Sequence, residues 1–236
     1  MSLAVRTIKF ISLIICVILL SECANVTALP APQQINQPSH QVASPYSMSA
    51  AAYLAQAKNQ EGSEQQALMI MAAGRLIHDG QWQEGSTILS RMSNTPADLS
   101  NQKNVLLAKI DLIREQPRAA ISKLSPVRDI NNLPLYYQLQ FHEILAHAYQ
   151  SVGNVLESVT ERTKLEKLLP DEASKAKNRR TLWLALTTIP MAELDTLAIE
   201  AADGSEVEGW MQLARFSRKK YANPQAMLAQ IEQWQM

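Results

Sequence analysis

The sequence predicts an all-α fold, and three observations carry that prediction. From Ser47 onward apolar residues recur at steps of three and four, the spacing that lines one face of a helix. Only 7 of the 236 residues are Gly, about 3% against a usual share near 7%. So few glycines disfavour folds built on tight hairpins or on Gly-rich phosphate loops. No stretch alternates apolar and polar residues over a convincing strand length.

The first element precedes the fold. Arg6 and Lys9 give a positive start, and Phe10 to Leu20 is an apolar run broken only by Ser12. A bilayer span needs roughly 20 such residues, so this run has the length of a signal-peptide core instead. Leu20-Ser21-Glu22-Cys23 follows. A Cys after such a run, with Leu three positions before it, resembles the bacterial lipobox, which makes Cys23 the expected lipidation site. Glu22 departs from the Gly, Ala or Ser found there in lipoboxes. A plain secretory cut after Ala28 and an uncleaved anchor are the other readings. We therefore take residues 1–22 as a signal peptide and 23–45 as a lipid-anchored, disordered linker. That linker holds Pro30, Pro32, Pro38 and Pro45 among Gln and Asn, too little apolar surface to offset ordering entropy.

Residues 46–236 are the helical domain. The periodicity predicts helices over 47–59, 64–78, 81–93, 100–114, 117–124, 134–151, 154–169, 172–188, 190–200, 205–221 and 224–235. Ser63 and Gln66 have the spacing of a capping box, and Pro117, Pro190 and Pro224 sit where a first helical turn tolerates proline. Ala73, Leu76, Gly80, Gly85 and Leu89 resemble a tetratricopeptide unit, with Gly80 opening the turn and Gly85 admitting a close second helix. Ala146, Tyr149, Gly153 and Ser158 repeat that order further on, and Ala108, Ala120 and Leu124 fall between. The fold class is thus a tetratricopeptide-like array of antiparallel helix pairs, an α-solenoid; an irregular bundle with small residues at its crossings is the alternative.

Charge and motifs exclude much chemistry. Lys+Arg and Asp+Glu number 22 each, which argues against a broad phosphate-neutralising face and hence against nucleic acid. The two cysteines, Cys16 and Cys23, precede the fold, so the helical body holds no disulfide or cysteine nucleophile. His142-Glu143 and His147 evoke a zinc-protease helix, but two His five apart diverge by about 140° round a helix. They read better as helix-surface or satisfied groove residues. Gly80 to Thr87 has phosphate-loop glycine spacing without the Lys, and follows a helix rather than a strand. Ser100 to Lys103 and Ser217 to Lys220 match S-x-x-K without its companion motifs. Glu157 and Glu161 share a helix face, where such pairs usually stand in solvent. Two basic runs remain, one around Arg179 and Arg180 and one holding Arg215, Arg218, Lys219 and Lys220. A solvated face is the ordinary reading of these; Arg179, Arg180, Arg215, Lys219 and Lys220 are the candidates for contact with a partner or an anionic polymer.

A family resemblance runs from about Tyr46 to the end and is clearest in the C-terminal half. Thr181-Leu182-Trp183-Leu184-Ala185-Leu186 is followed by Pro190-Met191-Ala192-Glu193-Leu194, then Glu208-Gly209-Trp210-Met211-Gln212-Leu213-Ala214, then Ile231-Glu232-Gln233-Trp234. This order of a Trp helix, a short helix, a Gly-Trp helix and a last helix near a Trp resembles the N-terminal domain of the LpoA family. Those are outer-membrane lipoprotein activators of class A penicillin-binding proteins. The resemblance implies a non-catalytic regulator of peptidoglycan synthesis on the periplasmic side of the outer membrane, anchored in that membrane by its lipid. It implies no cofactor, no metal and no small-molecule substrate, and a class A penicillin-binding protein or another envelope protein as partner. In the family a second domain, shaped like a periplasmic binding protein, follows these helices and carries the contact with the synthase. A chain of the helices alone is then expected to be the spacer half of an activator. The alternative is a general periplasmic scaffold for envelope assembly, binding a peptide on its concave face.

Overall fold

A computed structural model describes residues 44–218, which are wholly helical apart from their connections. Ten α-helices occur among the described residues: α1 Ala50–Ala57, α2 Gly62–His78, α3 Trp82–Arg91, α4 Ala97–Ile113, α5 Pro117–Leu124, α6 Leu135–Ser151, α7 Val155–Leu168, α8 Glu172–Thr188, α9 Met191–Glu200 and α10 Glu206–Arg218. One turn of 3₁₀-helix, Ile130–Asn132, lies between α5 and α6. The helix expected at 224–235 falls outside the described residues, as do Cys23 and the signal segment.

The starts of alternate helices show the repeat. First helices begin at 62, 97, 135 and 172 and second helices at 82, 117, 155 and 191, steps of 35 to 38 residues. Within pairs α2 packs on α3, α4 on α5 and α6 on α7; between pairs α2 packs on α4 and α4 on α6. Gly80 and Gly153 open the turns of the first and third pairs with φ of +85° and +83°, which an L side chain would strain. Gly85 is buried at the α2–α3 crossing: a Cβ there would stand 2.8 Å from Ile77 Cγ1 and 2.9 Å from the Ala73 carbonyl. In the third pair Ser158 takes the equivalent place and donates to the Ala146 carbonyl at 2.7 Å. Small residues at these sites let the helices approach.

Two local expectations change. Ser63 and Gln66 form no capping box: α2 begins at Gly62 after Glu61, which makes no side-chain cap bond, and Gln66 donates instead to the Ser93 carbonyl. Residues 47–49, expected as helix, precede α1. Ser49 caps α1 by accepting from the Ala52 amide, while the Ser47 and Met48 amides donate to the Tyr53 hydroxyl. A phenol already holding those amides competes with the turn that would have extended the helix.

The apolar core of the described residues falls into two main clusters. The larger runs through α2 to α6 and includes Ile70, Leu89, Val105, Leu106, Leu124 and Tyr137. The second joins Val159 of α7 with Leu182, Leu186, Leu194 and Met211 of α8, α9 and α10. There α10 packs on α7, α8 and α9 together, which closes the later helices differently from the first three pairs.

Candidate interaction surface

The first helices of the pairs share a register that defines one face. Ala73, Ala108 and Ala146 are fully buried at matching positions of α2, α4 and α6. The next residue in each case lies one step further round its helix. Those residues are Gly74, Lys109 and His147.

The middle of this face is polar. Lys109 donates from Nζ to Gln140 Oε1 at 2.8 Å, and Gln140 Nε2 lies 3.5 Å from Glu143 Oε2. Burial lowers the Lys109 pKa, and the Glu143 carboxylate opposes that shift. Burial followed by the charge of Arg162 lowers His147, again against Glu143. Burial also lowers Arg162, with Glu143 opposing. One carboxylate on α6 thus serves cations from α4 and α7. Arg162 in turn donates to Asn178 Oδ1, and Asn178 Nδ2 donates to the Arg162 carbonyl and to Glu166 Oε2.

At the N-terminal end the face is aromatic. Tyr46, 4% exposed, sets its ring edge-on to Tyr136 at 5.6 Å and to His78 at 6.2 Å. Its hydroxyl lies over Gly74, where an added Cβ would come within 2.2 Å of it. Arg75 donates to the Tyr46 carbonyl at 3.4 Å.

The residues singled out from sequence are not gathered into one site. Arg179 donates to Glu166 and also faces Glu172 at 3.7 Å. Arg180, its neighbour, is exposed. Arg215 donates to Asp195 at 2.6 Å and to Gln212 at 2.7 Å, and Arg218 caps the end of α8 through the Leu186 and Ile189 carbonyls. Lys219 and Lys220 lie outside the described residues. Much of the basic character is therefore committed within the fold. Of the two readings of His142, the satisfied groove residue is the one the structure takes: it is buried and shares a 2.7 Å hydrogen bond with Glu161, to which Lys164 donates at 2.7 Å. Glu161, expected in solvent, is only 7% exposed. Despite that burial, its bonds to His142 and Lys164 hold its pKa below the ordinary carboxylate value. Among the described residues no group of three His, Cys, Asp or Glu is placed to hold a metal, and no helix is long and apolar enough to cross a membrane.

Comparison with known proteins places this architecture. Residues 44–236 match the family model described as "LppC putative lipoprotein". The chain belongs to the LppC family. Relatives within reach include the penicillin-binding protein activator LpoA of Edwardsiella ictaluri, 25% identical over 99% of this chain and 33% of that protein. The LpoA of Erwinia tasmaniensis is 26% identical over 78% of this chain and 27% of its own length. The chain thus spans about a third of the curated relatives it matches. Among solved structures, the amino-terminal domain of Escherichia coli LpoA superposes with a TM-score of 0.60 at 21% identity, covering 80% of this chain and 83% of that one. The LpoA N-terminal domain of Haemophilus influenzae gives 0.58 at 18% identity, over 81% and 87%. These structures share the tetratricopeptide-like fold of this LppC-family chain.

The residues that sequence reading passed over, Tyr46, Gly74, Lys109 and Gln140, were accessible in part. The Ala73, Ala108 and Ala146 register marks Gly74 and Lys109 one position on. Nothing local marks Tyr46, which meets its partners only across the fold.

Proposed function

We propose that this LppC-family chain is a non-catalytic regulator of peptidoglycan synthesis, carried at the periplasmic side of the outer membrane on a lipid at Cys23. Residues 1–22 serve as the signal peptide and 23–45 as the tether. The helical domain from 46 onward then acts as a spacer that reaches toward the wall. Its partner is a class A penicillin-binding protein or another envelope protein. The observation that carries this reading is the match to relatives named penicillin-binding protein activators, which for the Edwardsiella protein extends over 99% of this chain. The membership of a lipoprotein family supports the anchor. Regulation here is a matter of binding, for which a helical array offers an extended face. Arg180, with Arg179, Arg215, Lys219 and Lys220, supplies contacts to the wall or partner that salt would weaken.

The test is reconstitution. Cross-linked glycan made by a purified class A synthase is measured with and without residues 24–236. The spacer reading expects recovery of the synthase or its associates by pull-down from envelope extract, with little direct stimulation by the helices alone. Strong stimulation would place the activating surface within these helices. Recovery of an unrelated envelope protein, with no effect on the synthase, would favour a general scaffold.

A further inference from the structure

We propose that the solvent-facing stripe of α8, Lys177, Arg180 and Leu184, is a docking surface for a helix of a partner protein that presents two carboxylates and an apolar side chain. The register of the array singles this stripe out. Gly74, Lys109 and His147 stand at one step from the starts of their helices, 62 to 74, 97 to 109 and 135 to 147, and the same step along α8 runs from 172 to Leu184. The buried positions agree: Phe141, Leu145 and Ala148 of α6 correspond to Asn178, Leu182 and Ala185 of α8. Lys177, Arg180 and Leu184 therefore hold on α8 the places that Gln140, Glu143 and His147 hold on α6. The two stripes differ in how they are completed. On α6 none of the three is exposed: Gln140 accepts from Lys109 of α4, and Glu143 meets the charges of Lys109 and of Arg162 from α7. On α8 all three are exposed, Leu184 to 54%. The neighbouring cations are committed, Lys175 to Glu172 and Arg179 to Glu166 and Glu172. Among the described residues Lys177 and Arg180 form no ion pair.

Charge and shape decide the occupant. Two cations beside one apolar side chain are complemented by two carboxylates beside another. Wall glycan offers no apolar group to cover Leu184, and a helix that lies on a bilayer carries several large apolar residues on one face, where this stripe has one. Ala173 and Ala176 are exposed on the same side of α8 and leave room for a second backbone to approach. A helix lying along α8 would then span about 10 Å from Lys177 to Leu184. The segments outside the described residues lack the charge: residues 23–43 hold no Asp or Glu, and 219–236 hold one, Glu232, against Lys219 and Lys220. The carboxylates therefore come from a different protein. This inference rests on the proposed regulator reading only for there being an envelope protein to dock; its test involves no synthase, so either can fail without the other.

The probe is a labelled alanine-based helical peptide with Leu, Glu and Glu at i, i+4 and i+7, the stripe of α8 in antiparallel order, titrated at low salt into the full chain. Saturable binding is expected, weakening as salt rises. It should be at least tenfold weaker on the double variant Lys177→Ala, Arg180→Ala and on Leu184→Asp. These side chains are exposed, so both variants should melt as the wild type does. The same peptide with Gln for both Glu should not bind. No saturable binding to the wild type, equal binding of the Gln peptide, or indifference to the variants would overturn the proposal. Vesicles of phosphatidylglycerol and phosphatidylcholine, isolated cell wall, and sedimentation of the chain alone test the competing occupants. Binding to vesicles or wall that is lost in the double variant, or a dimer that Leu184→Asp dissociates, would give the stripe to lipid, wall or a second copy and refute the partner helix.

Discussion

The helices from α2 to α6 and the steps from α6 to α7 and α8 are held by different balances of forces. From α2 to α6 one apolar cluster runs across every helix, with Leu89, Val105 and Ala108 fully buried. Across α6, α7 and α8, a small apolar contact of Leu139, Leu165 and Leu169 is joined by hydrogen bonds between charged and amide groups: His142 with Glu161, Arg162 with Asn178, and Glu166 with Asn178 and Arg179. Apolar burial is non-directional and tolerates shifts, whereas a buried charged pair fixes its partners because leaving one alone is costly. The polar seam therefore sets the register between the array and the later helices, at the junction of the two apolar clusters.

The largest expected effect tests the apolar half. Gly85→Leu drives a branched side chain against Ile77 and the Ala73 carbonyl, and the carbonyl belongs to a helix that cannot yield locally. We expect a loss of about 3 kcal/mol, at the upper end of overpacking costs. The melting temperature should fall by roughly 5–10 °C. An unchanged melt would mean that α2 and α3 do not cross closely at Gly85.

The same contrast explains what could be read from the sequence. The helices of the array were legible almost to their ends: α5 and α8 span 117–124 and 172–188 as the periodicity requires. Gly80, Gly85 and Ala146 were legible because steric need at a turn or crossing leaves a residue type behind. The seam was not. A His and a Glu nineteen residues apart carry no local mark of pairing, so the sequence left His142 between a surface and a satisfied groove position and read Glu161 as solvated. The capping box at Ser63 failed for the opposite reason: its pattern is local, but Gln66 reaches the Ser93 carbonyl across the fold. The basic runs were visible as composition, yet their neutralisation by Glu166, Glu172 and Asp195 depends on which helices meet.

A middle-sized effect tests the polar half. Glu161→Gln keeps the volume but removes the charge that His142 and Lys164 share, for an expected cost of about 1–2 kcal/mol at neutral pH. The pH dependence gives the mechanism. The pKa of Glu161 is lower in the fold than in the unfolded chain, so the unfolded state binds its proton first as pH falls. Its contribution is complete above the unfolded value, about 4.3, and disappears as pH drops through the lower folded value. Urea melts of wild type and variant should therefore differ by a constant amount above about pH 5 and by a shrinking amount as pH falls below the unfolded value of about 4.3. A gap that persists undiminished at pH 3 would show that the variant acts through packing rather than charge.

The smallest effect separates two neighbouring arginines and so separates structure from binding. Arg179 donates to Glu166, which is largely buried, and thereby ties α8 to α7 at the edge of the seam. Arg180, one residue on, is exposed. Because Arg179 is itself nearly half exposed, water screens its bond and Arg179→Ala should cost about 0.5–1 kcal/mol. Arg180→Ala should change stability by less than about 0.5 kcal/mol, as surface substitutions usually do. Binding should reverse the order. A cation already paired within the fold must give up its carboxylate to reach a partner, whereas an exposed one gives up only water. If the basic surface contacts wall or partner, Arg180→Ala should reduce the salt-sensitive part of co-sedimentation with isolated cell wall more than Arg179→Ala does. Equal losses of binding and unequal losses of stability would instead assign the contact to another surface.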